Sequence, residues 1–335
     1  MAIDLGLFLS DQHPPGRPPA EGVREHLEQV AAARELGYTS IWAGQHFLSQ
    51  PFAMYQSIPM LARVAAEAEG MTVGAGVLLL TLLNPLEVAE NVATLDAICD
   101  GRFVLGVGFG YRDVENAAFG ISTGRVATFE AKLDVVRRLL AGERVTARGE
   151  GYVLTDAELA LRSERPPPIW MAANGDRAVQ RAARLSDAWL VNPHTRLDEL
   201  ERQVGLFHAA RAEAGLAPVT RMPVIKEICV AETDEAALAA ARPYLEGKYD
   251  AYVAWGQSDV LPEGDTLRRA FAELTAGGRF VIGSPQTCAA ILAEHVARLG
   301  VDHIICRAQW PGMPQEHVLR TLRLLAHEVA PRLGP

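Results

Sequence analysis

Of the nine histidines in this chain, His46 stands where an imidazole could move protons. It falls at the C-terminal end of a short β-rich run and is flanked by Trp42 and Phe47. A side chain that titrates near neutrality suits general acid or base work at such a place. A hydrogen bond from the ring to a loop carbonyl fits the same position. His208, His295, His317 and His327 fall inside helical stretches, where packing or solvation accounts for them. A second place is Asn174-Gly175-Asp176, which ends a strand-like run and opens a helix. Backbone N–H groups and the positive dipole end at a helix start suit a phosphate, and a glycine lets the backbone come close to it. Ordinary capping by Asn174 or Asp176 would use the same residues.

The run Gly106-Val107-Gly108-Phe109-Gly110 resembles a dinucleotide fingerprint only in part. The third glycine of that pattern would stand at 111, which is tyrosine, and no helix follows directly. We exclude a Rossmann site and expect these glycines to leave room for a flat ligand against the backbone. The Gly-x-Ser-x-Gly spacing occurs at Gly120 to Gly124 but follows no strand-like run directly, so it forms no nucleophile elbow, and no Walker loop or His-Glu-x-x-His helix occurs; hydrolytic, triphosphate and zinc chemistry lack their usual supports. Cys99, Cys229, Cys288 and Cys306 have no metal or redox spacing and read as reduced, buried thiols. No metal site is expected.

The elements that must position these residues alternate along the whole chain. Strands are expected at 3–9, 39–43, 71–80, 102–107, 168–173, 188–192, 224–231 and 303–307. Helices are expected at 21–36, 55–69, 85–99 and 126–140, with another opening near Asp176. Nearly continuous apolar strands alternating with helices imply a parallel sheet covered on both faces. Eight such units within 335 residues predict a single (β/α)₈ TIM barrel over 1–335, with a doubly wound open sheet as the alternative. Segments 147–167 and 255–280 lengthen two connections and are expected to extend loops at the C-terminal mouth.

The composition is 49% hydrophobic and 22% charged, with a formal net charge of −9. An acidic chain of this kind argues against a nucleic-acid partner. No apolar run reaches the roughly 20 residues of a membrane span, and no signal peptide is evident, so a cytoplasmic protein is expected.

The chain resembles the bacterial luciferase-like flavin-dependent monooxygenase family over nearly its whole length. The resemblance rests on Gly74 through Pro85, Ala93 through Asp96 and Gly101 through Gly108. It continues in Gly37-Tyr38 with His46-Phe47, Pro168 through Gly175, Gly283-Ser284-Pro285 and Gly300 through Ile305. It implies reduced FMN, or a deazaflavin coenzyme, at the C-terminal mouth, with His46 as the active-site histidine. It also implies a non-proline cis peptide at Gly76-Val77 packed against the flavin ring, beside Gly108 and Tyr111. The family's phosphate-binding strand end falls on Asn174, Gly175, Asp176 and Arg177. Relatives often carry hydroxyl side chains there, and Phe109 replaces an arginine of some members, which leaves Arg112 or Arg177 to supply positive charge.

The function so implied is a two-component monooxygenase that takes reduced FMN from a separate reductase and oxygenates a hydrophobic organic substrate with O₂. Phe8, Phe47, Tyr111 and Trp310 are the expected pocket walls. A deazaflavin-dependent dehydrogenase or reductase is the alternative, and a non-catalytic flavin-binding protein a third. Small residues in the helix at 61–68 suggest a homodimer.

Overall fold

The computed structural model describes residues 3–121, 124–261, 275 and 278–334. Fourteen strands and ten α-helices are assigned among them. The principal strands are β1 (Asp4–Leu9), β3 (Ser40–Ala43), β5 (Thr72–Ala75), β7 (Phe103–Gly108), β10 (Ile169–Ala172), β11 (Ala188–Leu190), β12 (Pro223–Val230), β13 (Val281–Gly283) and β14 (His303–Arg307). They form one parallel, curled sheet in the order β11-β10-β7-β5-β3-β1-β14-β12-β13. Val191, just past β11, bridges Val224 of β12. The Val191 N–H donates to Pro223 O (3.2 Å), and the Ile225 N–H donates to Val191 O (2.8 Å).

All eight predicted strands are present, with three differences. The run at 71–80 divides into β5 and β6 (Leu78–Leu79) on either side of a cis Gly76–Val77 peptide. The connection at 147–167 is not plain loop: β8 (Val145–Gly149) and β9 (Tyr152–Ala157) pair antiparallel as a hairpin. Its tip, Glu150-Gly151, was too short a turn signal to separate two strands. Strand β13, directly after the 255–280 connection, was not expected; of that connection, 262–274 and 276–277 lie outside the described residues.

The helices follow the strands: α1 (Pro19–Glu35), α2 (Ser57–Ala65), α3 (Pro85–Ile98), α4 (Asp113–Ala118), α5 (Arg125–Leu140), α6 (Asp176–Leu185), α7 (Leu197–Glu213), α8 (Asp234–Ala254), α9 (Pro285–Leu299) and α10 (Gln315–Leu324). Three begin on side-chain caps that the sequence carries openly, one of them Thr233, which accepts from the Ala236 N–H at the start of α8. Asn84 accepts from the Leu86 N–H ahead of Pro85, and Ser284 accepts from the Thr287 N–H ahead of Pro285.

Alternation along the strands separates two cores. Leu7, Ile41, Phe103, Leu105, Met171, Val224, Ile304 and Cys306 face the helices in one large cluster. Phe8, Trp42, Val104, Trp170, Leu190, Ile225 and Ile305 face inward and fill the concave side of the sheet. Trp42 stacks on Trp170 with ring centroids 4.9 Å apart. This plug closes the lower part of the concavity. Further toward the C-terminal ends of the strands, the inward positions decide what lies above it.

Candidate active site

On β3, β5, β7 and β10 those upper positions fall on Gly44, Gly76, Gly108 and Ala172, and a cavity of about 440 Å³ opens above them. The glycines are needed where they stand. A Cβ on Gly76 would lie 2.9 Å from the Phe8 ring, and one on Gly108 would lie 2.7 Å from a Val77 methyl. Gly106 is a different case: its Cβ would meet the Ala75 carbonyl oxygen at 2.0 Å. This corrects the expectation that the whole glycine run serves a ligand. Gly106 lets two strands approach; Gly108 and its neighbours leave the space.

His46 lines the cavity, with its side chain 15% exposed. Its Nδ1 lies 3.0 Å from Oε1 of Glu115, whose side chain on α4 is fully buried. That contact fixes the tautomer and leaves Nε2 for the cavity. Glu115 also accepts from the Phe47 N–H (2.8 Å) and from Arg112 (3.2 Å). Burial pushes the Glu115 carboxyl up, but the hydrogen bond and charge of His46, the Phe47 N–H and Arg112 outweigh it and hold it below its ordinary value. The ring of Tyr111 stands edge-on to His46 at 5.7 Å. The loop-carbonyl alternative for His46 therefore gives way to a carboxylate partner that position alone could not reveal.

The two readings of the helix start also separate. Gly175 is the N-cap of α6, and no side chain caps it. Asp176 turns instead to Arg202 (2.9 Å) and Gln203 (3.2 Å), and the Arg202 bond above all holds its carboxyl below the ordinary value. Asn174 accepts from Asn192, and its own carbonyl accepts from Gln203 at 2.7 Å. The first turn of α6 is thus open toward the cavity wall, where Asn174, Gly175 and Ala178 lie.

Of the other residues singled out from sequence, Phe8, Gly76, Val77, Gly108, Tyr111, Asn174 and Gly175 also line this cavity. Asp176 and Arg177 line an adjoining hollow with Arg181, Glu199 and Arg202. Three expectations are corrected. Arg112 is buried and spent internally: it donates to the carbonyls of Phe47 (2.6 Å) and Leu48 (3.0 Å) and lies 4.2 Å over the Trp255 ring. Phe47 packs on Phe119 at 4.7 Å in a small satellite core and is not among the lining residues. Trp310 is fully buried in the large core cluster and is not among the lining residues, and its indole N–H donates to Glu227 at 2.5 Å. Alternation along β14, with Ile304 and Cys306 outward and Ile305 inward, puts Arg307 inside, and Arg307 does line the cavity. Arg125, at the start of α5, lines the rim and pairs with Asp113 at 2.6 Å. Glu115, Arg125 and Arg307 are the functional candidates that motif reading missed.

The match to known proteins follows this geometry. The profile described as luciferase-like monooxygenase matches residues 3–303. The chain is 29% identical to 4-hydroxyprotoasukamycin monooxygenase of Streptomyces nodosus subsp. asukaensis, covering 99% of this chain and 92% of that one. It is 26% identical to an F420-dependent glucose-6-phosphate dehydrogenase of Kineococcus radiotolerans, covering 98% of this chain and 100% of that one. In fold it matches the oxygenating constituent of 3,6-diketocamphane monooxygenase from Pseudomonas putida, a type II Baeyer-Villiger enzyme solved with FMN. That likeness has a TM-score of 0.85 at 19% identity over 99% of both chains.

Proposed function

Because the chain belongs to the luciferase-like monooxygenase family of oxidoreductases, we propose that it is the oxygenating component of a two-component system, taking reduced FMN from a separate reductase and using O₂ to oxygenate a small organic substrate. One observation carries this reading. The open floor at Gly44, Gly76, Val77 and Gly108 and the uncapped start of α6 lie on the wall of one cavity. A flat ring needs the first, and a phosphate monoester needs the second.

Reduced FMN, when bound, supplies the electrons that activate O₂. The glycine floor and Val77 would hold its ring, and the Gly175 helix start with Arg125 would hold its phosphate. His46, oriented by Glu115, holds or delivers a proton through Nε2. Phe8, Leu79, Leu190 and Ile225 on the walls keep water from the reacting atoms.

A second reading, a deazaflavin-dependent dehydrogenase or reductase, is supported by the likeness to the F420-dependent relative. The hollow beyond the helix start carries Arg177, Arg181 and Arg202 beside the paired carboxylates of Asp176 and Glu199, a lining with room for the longer anionic tail of such a coenzyme, so the choice between the two rests on binding. Titration with reduced FMN and with F420, followed by O₂ uptake on aeration, tests the choice. Tight binding of reduced FMN with O₂ uptake is expected. Binding of F420 alone, with hydride transfer and no O₂ uptake, would overturn it.

The same proposal includes one (β/α)₈ domain over 1–335, closed where Val191 meets Val224. It also includes a cytoplasmic homodimer. No helix among the described residues is long and apolar enough to cross a membrane. Along 61–68, where α2 ends at Ala65, Leu61 and Val64 are buried in the core while Arg63 and Glu67 stay at the surface, open to a second copy. Sedimentation of the purified protein as a monomer would remove the dimer.

A further inference from the structure

The two sides of the cavity differ in chemistry. Opposite the glycine floor, the inward positions of β12 and β14 carry Glu227 and Arg307, which are register partners across the parallel pair. Glu227 is fully buried and surrounded by donors: Lys248, the Tyr249 hydroxyl (3.2 Å), the Trp310 indole (2.5 Å) and, more loosely, Arg307 (3.5 Å). Burial pushes its carboxyl up, but Lys248, Arg307 and the indole outweigh that and keep it ionised. Lys248 is the closer partner of that charge, but burial lowers its pKa to about 7, so Arg307 shares the pairing with Glu227 at 3.5 Å and turns its remaining N–H groups to the cavity.

The guanidinium of Arg307 lies 4.1 Å over the Phe8 ring, which fixes its plane. The side chain is 14% exposed and lines the cavity. Its Nε is buried without a hydrogen-bond partner. The carboxylate oxygens of Asp11, the one acidic residue among the described lining residues, are sealed from the cavity. Arg125, the other arginine on the wall, sits at the start of α5 and is held by Asp113. The chamber therefore presents an apolar body and one interior cation, on the side away from the floor.

We propose that Arg307 is the anchor for the substrate, and that the substrate is an apolar organic acid whose carboxylate is received there. The assignment to substrate, and not to coenzyme, rests on the proposed placement of the flavin ring on the glycine floor. The planar fork of arginine matches a carboxylate, and the low-polarity walls strengthen the contact.

Benzoate and benzyl alcohol serve as probes, titrated calorimetrically into the wild type, Arg307→Met and Arg307→Lys, each with and without FMN. Wild type should bind benzoate about tenfold or more tightly than benzyl alcohol, as expected for a charge-assisted hydrogen bond. Arg307→Met should lose that preference, Arg307→Lys should keep part of it, and FMN affinity should not change in either. Equal binding of the two probes by the wild type would overturn the proposal whether or not a variant folds. So would an Arg307→Met variant that keeps the preference, or one whose FMN affinity falls in step, which would give the arginine to the coenzyme. Failure of the wild type to bind FMN, with the benzoate preference intact in the free protein, counts against the coenzyme reading and leaves the acid anchor standing.

Discussion

Substituting alanine for Gly106 and, separately, for Gly108 should produce opposite outcomes on either side of two residues. A Cβ on Gly106 would stand 2.0 Å from the Ala75 carbonyl oxygen. That oxygen belongs to the backbone of β5, the neighbour of β7 in the sheet, so relief requires the strands to part by roughly 1 Å at the C-terminal end of the pair. Overpacking of this kind costs about 3 kcal/mol or slightly more, because no rotamer change can absorb it. At roughly 2 °C per kcal/mol for a chain of this size, the melting temperature should drop by about 6 °C. A Cβ on Gly108 meets only a Val77 methyl at 2.7 Å, and a side chain can give way at about 1 kcal/mol. That variant should fold, with a melting temperature lower by about 2 °C. It should nevertheless lose FMN affinity by about tenfold or more, because a methyl group and a displaced Val77 now stand on the floor where a ring would rest. Thermal denaturation followed by circular dichroism and FMN titration of both variants decide the matter. Wild-type stability in Gly106→Ala would refute the strand-approach argument; unchanged FMN binding in a folded Gly108→Ala would refute the floor.

Three further outcomes follow from named contacts. His46→Ala should fold normally and lose about 10²-fold in turnover, measured as O₂ uptake with reduced FMN and substrate, and unchanged turnover would remove His46 from the proton chemistry. Glu115 is held below the ordinary carboxylate range, so its stabilisation is complete above the unfolded value of about 4.3 and is lost as pH falls through the folded value. The melting-temperature gap between wild type and Glu115→Gln should therefore be widest near neutrality and close below about pH 4; a gap that grows on acidification would contradict the pairing. Trp310→Phe removes the donor to buried Glu227 Oε2 and should cost about 1–3 kcal/mol of stability, with FMN affinity unchanged. A selective loss of ligand binding in that variant would put Trp310 back at the pocket.

The sequence by itself determined the alternating architecture and the strand ends on which chemistry could sit. Local signals suffice for this: apolar runs, Asn84-Pro85 and Ser284-Pro285 at helix starts, and a glycine that opens α6. It also carried, through strand parity, the inward placement of Arg307, which motif reading passed over. Only the tertiary structure decided which side chains meet. His46 and Glu115 are 69 positions apart, and nothing local marks Glu115 as its partner. Arg112, a free cation on paper, is consumed by two carbonyls and that same glutamate. Asp176, a cap on paper, is drawn off by Arg202. The glycines show the division most plainly. Gly106 and Gly108 are the same residue two positions apart, yet one faces a neighbouring carbonyl and the other a cavity. Spacing along a strand fixes the face a residue occupies; what stands across from it depends on how the sheet curls.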